Sequence, residues 1–201
     1  MENQPSEKSP LGRPRSEQAR QAIMNATLSL LKTEGYKKLT MEGIAKAAGV
    51  GKPTLYRWWP NIPTIVMEAV QLQAISGIVL AETDSLRSDL LQYLGQTCQL
   101  FNGYLGEILR CLMAEAQLNP DFAIVFREEL IQTRRTKLIE IIERGVSRNP
   151  LRSELNLEFL ADLGYGPIWY RLLNGHAALD EPFVHSIVDQ IIYNIDRAGS
   201  N

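Results

Sequence analysis

The stretch LTMEGIAKAAGVGKPTLYRWW, residues 39–59, constrains this chain more than any other. Met41, Ile44, Ala45 and Ala48 share one side of a short helix. Gly49-Val50 ends it, because glycine supplies the left-handed backbone that a tight turn needs. A second helix opens at Lys52-Pro53, where the N–H that proline lacks has no helical partner to lose. Ala45 is small where the helices cross, Val50 and Leu55 seal the junction, and Trp59 lies one turn beyond Leu55. Thr54, Tyr56 and Arg57 are left facing outward, with Trp58 between inside and outside. A second helix held steeply on a first by a glycine turn, with an aromatic and basic outer face, is the layout of a helix-turn-helix that reads DNA.

The charge distribution agrees with that layout. Residues 1–60 carry ten Lys/Arg against five Asp/Glu, whereas residues 61–201 carry eleven against eighteen. The first part attracts a polyanion and the second does not. At 201 residues the chain has room for two small domains with cores of their own. No apolar run approaches the roughly 18 residues that span a bilayer, and the N-terminus lacks the apolar core of a secretory signal. The expected location is cytoplasmic, at the nucleoid, with no membrane partner. Cys98 and Cys111 read as small apolar packers, and with only His176 and His185 besides, no close Cys/His spacing marks a metal site. Neither a nucleophile–base pair nor a Gly-rich phosphate loop is legible, so no enzyme and no cofactor is expected.

Before the motif, residues 1–15 read as a disordered basic arm. Its Arg13 and Arg15, held extended by Pro14, suit an A·T-rich minor groove. Ser16 is the expected N-cap of the first helix, with Ile23, Ala26, Thr27, Leu30 and Leu31 on its buried side. Gly35 stops that helix and Thr40 caps the next, placing a hydroxyl and free N–H groups where a phosphate can bind. On the second helix, Lys52 suits a phosphate or a guanine edge, Pro53 and Thr54 suit base edges, and Tyr56 a phosphate. Arg57 suits a phosphate or guanine, and Trp58, half buried, the DNA backbone.

The run AIMNATLSLLKTEGYKKLTMEGIAKAAGVGKPTLYRWWPN resembles the DNA-binding domain of the TetR family of transcriptional regulators. The resemblance rests on Gly35, Thr40, Ile44-Ala45, Ala48-Gly49-Val50 and the Thr54-Leu55-Tyr56…Trp59 element, and covers about Arg15 to Ala69. It implies an all-helical homodimer whose variable C-terminal domain binds a small effector and releases a double-stranded operator. By position it puts DNA contacts on Thr40, Lys52, Pro53, Thr54, Tyr56, Arg57 and Trp58. One departure stands out. The family often has a lysine near the start of the fourth helix, and here the chain reads Pro60-Asn61-Ile62-Pro63-Thr64. Asn61 still suits the cap.

The expected fold is all-α with about nine helices. A helix-turn-helix domain spans 16–61, and a helical ligand-binding and dimerisation domain spans 62–201. Helix breaks are expected near Gly103 and Gly106, and again at Gly164 and Gly166-Pro167. Arg134, Arg135 and Lys137 read as a solvated face. The last helix carries paired apolar residues, Phe183-Val184, Ile187-Val188, Ile191-Ile192 and Ile195. With Ile168 and Leu172 before them, they form either a buried internal stripe or a bundle between two subunits. The family's habit favours the second. Tyr93, Phe101, Tyr104, Arg110, Met113, Tyr165, Trp169 and Tyr170 are the candidates for a pocket, with Arg110 suited to an anion. Two other readings stay open: a helical enzyme or carrier that contains a helix-turn-helix, and an architectural DNA binder without an effector.

Overall fold

Side-chain caps start most of the helices. In the computed structural model, backbone is described for residues 13–77, 83–147 and 155–198, and side chains for 17–73, 83–147 and 155–197. The first helix, α1 (Arg13–Glu34), ends at Gly35, whose φ of 78° only glycine adopts freely. Thr40 caps α2 (Met41–Ala48), and α3 (Lys52–Tyr56) follows the turn at Gly49. Asn61 Oδ1 accepts from the Thr64 N–H at 3.1 Å to start α4 (Ile62–Gly77). Ser85 caps α5 (Leu86–Asn102), which turns at Gly103 into α6 (Tyr104–Leu118). Asn119 caps α7 (Pro120–Phe126), which runs through a π-helical turn (Arg127–Gln132) into α8 (Thr133–Val146). Asn156 caps α9 (Leu157–Asn174), and α10 (Glu181–Ala198) ends the described chain. With α7 and α8 fused into one rod, the described residues form nine rods and no strand, the all-α architecture expected.

The chain divides into two compact units, residues 1–69 and 70–201, with the boundary inside α4. The expected boundary was residue 61. The first half of α4 instead supplies Ile65, Val66, Met67 and Ala69 to the buried set of the first unit. There α1 packs on α2 and α2 on α3, around Ile23, Met24, Leu31, Ile44, Leu55 and Trp59. In the second unit α5 is central, packing against α6, α8, α9 and α10. Among the described residues no helix is long and apolar enough to cross a membrane.

Three sequence expectations need correction. The first helix begins at Arg13, not after Ser16. Pro14 lies in its first turn, where a missing N–H costs nothing, so Arg13 and Arg15 are helical residues and not an extended arm. Their side chains, and residues 1–12, lie outside the described residues. Second, α9 is continuous through Gly164, Gly166 and Pro167. Gly164 is a packing residue: a Cβ there would come within 2.5 Å of Leu138 Cδ2. Third, Arg134 and Arg135 are half-buried, and only Lys137 shows the solvated pairing expected, with Glu140 at 3.0 Å.

Candidate functional site

The helix-turn-helix is held at each end by a local device. Thr40 Oγ1 accepts from the Gly43 N–H at 3.0 Å, and a side chain at Gly43 would crowd that oxygen. With its oxygen engaged, the exposed Thr40 hydroxyl keeps its proton to donate outward. At the other end Gly49 adopts φ 65°, ψ 30°, and its N–H bonds back to Ala45 and Lys46. Val50 N–H also reaches the Ala45 carbonyl at 3.0 Å. The turn therefore sets the angle at which α3 leaves α2.

Leu55 is fully buried and Trp59 nearly so, which fixes the rotation of α3. Lys52, Pro53, Tyr56 and Arg57 are exposed, while Thr54 and Trp58 are half-buried. The Arg57 guanidinium lies 5.3 Å from the centre of the Trp58 ring, and Trp58 meets Trp59 edge-on at 5.4 Å. Arg57 is thus steadied by a cation–π contact while remaining open to a phosphate. Lys52 is engaged across the motif: its Nζ sits 2.7 Å from Glu42 Oε1. The lysine's hydrogen bond holds the Glu42 carboxyl below the usual carboxylate range, so that carboxyl is ionised at neutral pH. Trp59 Nε1–H donates to Glu68 Oε2 at 2.6 Å, and Arg20 pairs with the other oxygen of Glu68. This bridge ties α1, the end of the motif and α4 behind the exposed face.

In the second unit, a cavity of about 170 Å³ is bounded by α5, α6, the π turn, α8 and α9. Of the expected pocket residues it gathers Phe101, Met113, Tyr165 and Trp169. Tyr93 stands behind them. Its hydroxyl donates to the Arg134 carbonyl at 3.2 Å and lies 2.8 Å from the Tyr165 hydroxyl. Burial, then the neighbouring Tyr93, pushes the Tyr165 phenol well above its ordinary value, so it stays a neutral donor. Leu130, Ile131, Arg134, Arg135, Asp162 and Gly166 complete the wall. The other expected residues are elsewhere. Tyr104 and the exposed Arg110 border a separate open cleft, and Tyr170, 64% exposed, meets His176 on the surface. On α6, Met113 reaches the cavity, while Arg110, one turn earlier along the helix, borders the other cleft. Cys98 is buried, which pushes its thiol up to about 12 and makes it a packing group.

The apolar stripe expected between subunits faces inward. Ile168, Val188, Ile191 and Ile195 are fully buried, Leu172, Phe183, Val184 and Ile187 nearly so, and Ile192 half-buried, within one chain. That stripe closes α10 onto α5 and α9 and is not free for a partner. A second stripe lies on the outside of α9, at Phe159, Leu163, Gly166, Tyr170 and Leu173, with spacings of four and three residues. Phe159, Tyr170, Leu173 and, on α10, Tyr193 are 44–64% exposed.

Comparison with known proteins decides the family. Residues 23–69 match the model of bacterial regulatory proteins of the tetR family, and residues 80–191 match the tetracyclin repressor-like C-terminal domain. The chain belongs to the TetR family of transcriptional regulators. It is 30% identical to the HTH-type transcriptional regulator YdeS of Bacillus subtilis, over 88% of this chain and 89% of that one. It is 22% identical to the DNA-binding transcriptional repressor TetR of Mycobacteroides abscessus, over 92% and 98%. A crystal structure of another TetR family transcription regulator superposes with a TM-score of 0.79 at 27% identity, covering 89% of this chain and 98% of that one.

In this TetR-family regulator the sequence reading missed two cations beside the motif. Lys38 and Lys46 border the same surface cleft as Thr40. The signal available was the lysine pair Lys37-Lys38 just before the cap. That three-residue segment is too short to show a periodic pattern that assigns its side chains a face.

Proposed function

We propose that this regulator is a homodimeric repressor that grips a palindromic operator through α3 and lets go when a small molecule fills its second unit. The observation that carries the reading is the outer face of α3. Lys52, Pro53, Tyr56 and Arg57 stand exposed on a helix whose angle is set by the Gly49 turn and whose rotation is set by buried Leu55 and Trp59. Thr54 and Trp58 complete that face. Lys52 and Arg57 supply charge to phosphates or guanine edges, Pro53 and Thr54 touch base edges, and Tyr56 donates to a phosphate. Thr40, with Lys38 and Lys46 beside it, clamps the flanking backbone, and Arg13 and Arg15 at the head of α1 add positive charge.

Two copies meet through the outer stripe of α9, Phe159, Leu163, Tyr170 and Leu173, together with Tyr193. Four large side chains left 44–64% exposed on adjoining helices are an unusual surface for a lone chain. Two-fold symmetry then sets the two α3 helices about 34 Å or more apart in successive major grooves of the duplex. The repressor sense follows the likeness to the repressor from Mycobacteroides abscessus. The effector acts by favouring a dimer in which that spacing is wrong for the groove.

Selection of bound duplexes from a random pool tests the reading. A palindrome should emerge, and Lys52→Ala and Tyr56→Ala should each weaken binding to it about tenfold with the fold intact. A selected site without two-fold symmetry, or full affinity in both variants, would refute it.

A further inference from the structure

Resting on the effector-released reading above, the geometry of the second-unit cavity points to a chemical class of effector: a single aromatic ring carrying a carboxylate. Three observations bear on this.

The first is size. The cavity holds about 170 Å³, and an apolar cavity of roughly 150 Å³ accommodates benzene. One ring fits. A fused polycycle or a long alkyl chain needs space that the walls do not leave.

The second is the wall. Phe101 and Trp169 have ring centres 5.7 Å apart at an interplanar angle of 57°, and Phe126 backs Trp169 at 6.2 Å. Met113 and Leu130 face the same space. Tilted aromatic walls at these separations present edges and faces together, which suits a flat ring more than a flexible chain. Met adapts to the remaining gap.

The third is charge. Two arginines adjoin in the wall, and they differ. Arg135 is committed, paired to Glu158 at 2.5 Å and to Asp162 as well. Those bonds hold its guanidinium even more firmly protonated than usual. Arg134 is half-buried, and among the described residues its guanidinium has no carboxylate partner. Its backbone is pinned by the Tyr93 hydroxyl, and its charge acts on the Tyr165 phenol. A half-buried guanidinium at the edge of an apolar cavity, with its acidic neighbours already taken by the next residue, lacks the planar anion that arginine binds best. The effector's carboxylate supplies it, with Tyr165 beside it and the ring between Phe101, Met113 and Trp169.

The test is direct because Trp169 forms part of the wall. Benzoate, toluene and octanoate would each be titrated into the full-length protein while tryptophan emission is followed, with Trp169→Phe as the control that removes the signal. Benzoate should give a saturable change at millimolar or lower concentration. Toluene and octanoate should bind at least about tenfold more weakly. Arg134→Met should weaken benzoate by roughly ten- to a hundredfold while leaving toluene unchanged. Met113→Trp, which fills the cavity, should abolish both. Octanoate binding as tightly as benzoate, an Arg134→Met protein that keeps its benzoate affinity, or no saturable benzoate signal would each overturn the proposal. Operator binding, measured separately on the same preparations, keeps the two readings apart. A protein that holds its selected operator but ignores benzoate sinks the effector class alone. One that binds no operator sinks the repressor reading instead.

Discussion

Two glycines in neighbouring helices should respond oppositely to the same substitution. In α6, a Cβ on Gly106 would lie 1.9 Å from the carbonyl oxygen of Phe101 and 2.9 Å from its carbon. Ordinary contact needs more than an ångström of further separation, and the obstacle is main chain at the end of α5, not a side chain that can swing aside. Overpacking a buried site costs about 1–3 kcal/mol, and this geometry belongs at or above the top of that range. Alanine's better helix propensity returns about 1 kcal/mol. Gly106→Ala should therefore lose about 2–3 kcal/mol net. In the middle of α5, a Cβ on Gly95 meets no heavy atom within 4 Å. There only the propensity operates, and Gly95→Ala should gain about 0.5–1 kcal/mol. For a chain of this size 1 kcal/mol moves Tm by about 2–4 °C. Thermal and urea unfolding followed by circular dichroism should place Gly95→Ala a few degrees above the parent and Gly106→Ala about 4–12 °C below it. A Gly106→Ala protein as stable as the parent would show that the corner between α5 and α6 is not packed as described. The same variant should also weaken any ligand that touches Phe101, because its carbonyl is the atom that must move.

Other perturbations separate binding from folding. Glu42→Gln frees Lys52 and removes an anion from the DNA-facing side, so operator affinity should rise several-fold at low salt, with the gain fading as salt is added. An unchanged salt titration would mean Lys52 does not approach phosphate. Burial alone would raise Asp89, but hydrogen bonds from Thr83 and the pairing with Arg144 outweigh it and leave the carboxyl below its ordinary value. The stability it contributes is then fully present above the unfolded value of about 3.9 and is lost as pH falls through the folded one. Asp89→Asn should be less stable at neutral pH and show a flatter acid limb in urea midpoints. Parallel acid limbs would count against this assignment. Tyr170→Glu combined with Leu173→Glu should yield a folded monomer by light scattering, whereas Ile191→Asp should unfold the second unit because Ile191 is fully buried. A folded, monomeric Ile191→Asp protein would restore the inner stripe as the subunit contact.

What could be read from the chain beforehand was whatever depended on neighbours in sequence. The caps at Thr40 and Asn61 and the turn at Gly49 are local devices. Each couples a side chain or backbone angle to residues at most four or five away, and all were legible. The two faces of α9 were not separable, because Ile168 and Leu172 on one side and Tyr170 and Leu173 on the other are equally apolar in composition. Only the position of α5 and α10 decides which side is core. Pro167 looked like a break because a proline's effect depends on what surrounds the helix. Arg134 and Arg135 looked solvated because period counting assumes an ordinary α-helix, and the residues before them are not one.

The π-helical turn at Arg127–Gln132 has a further consequence. A wider turn carries one more residue than an α-turn spanning the same rise. Removing a single residue there would let the rod relax to regular helix with the phase beyond it kept, whereas one residue lost from a regular α-helix rotates everything after it by about 100°. Leu138, Ile141 and Ile142 would then keep to the core, and Arg134 to the cavity rim. The turn also holds out its Glu129 carbonyl to the Gln71 side chain of α4 at 2.9 Å, while Leu130 and Ile131 line the cavity. This rod thus holds a spare residue in one wide turn: the turn takes up the surplus so that the helix after it keeps its seat in the core. Among descendants of this chain, one-residue deletions within Arg127–Gln132 should be tolerated better than one-residue deletions inside α8.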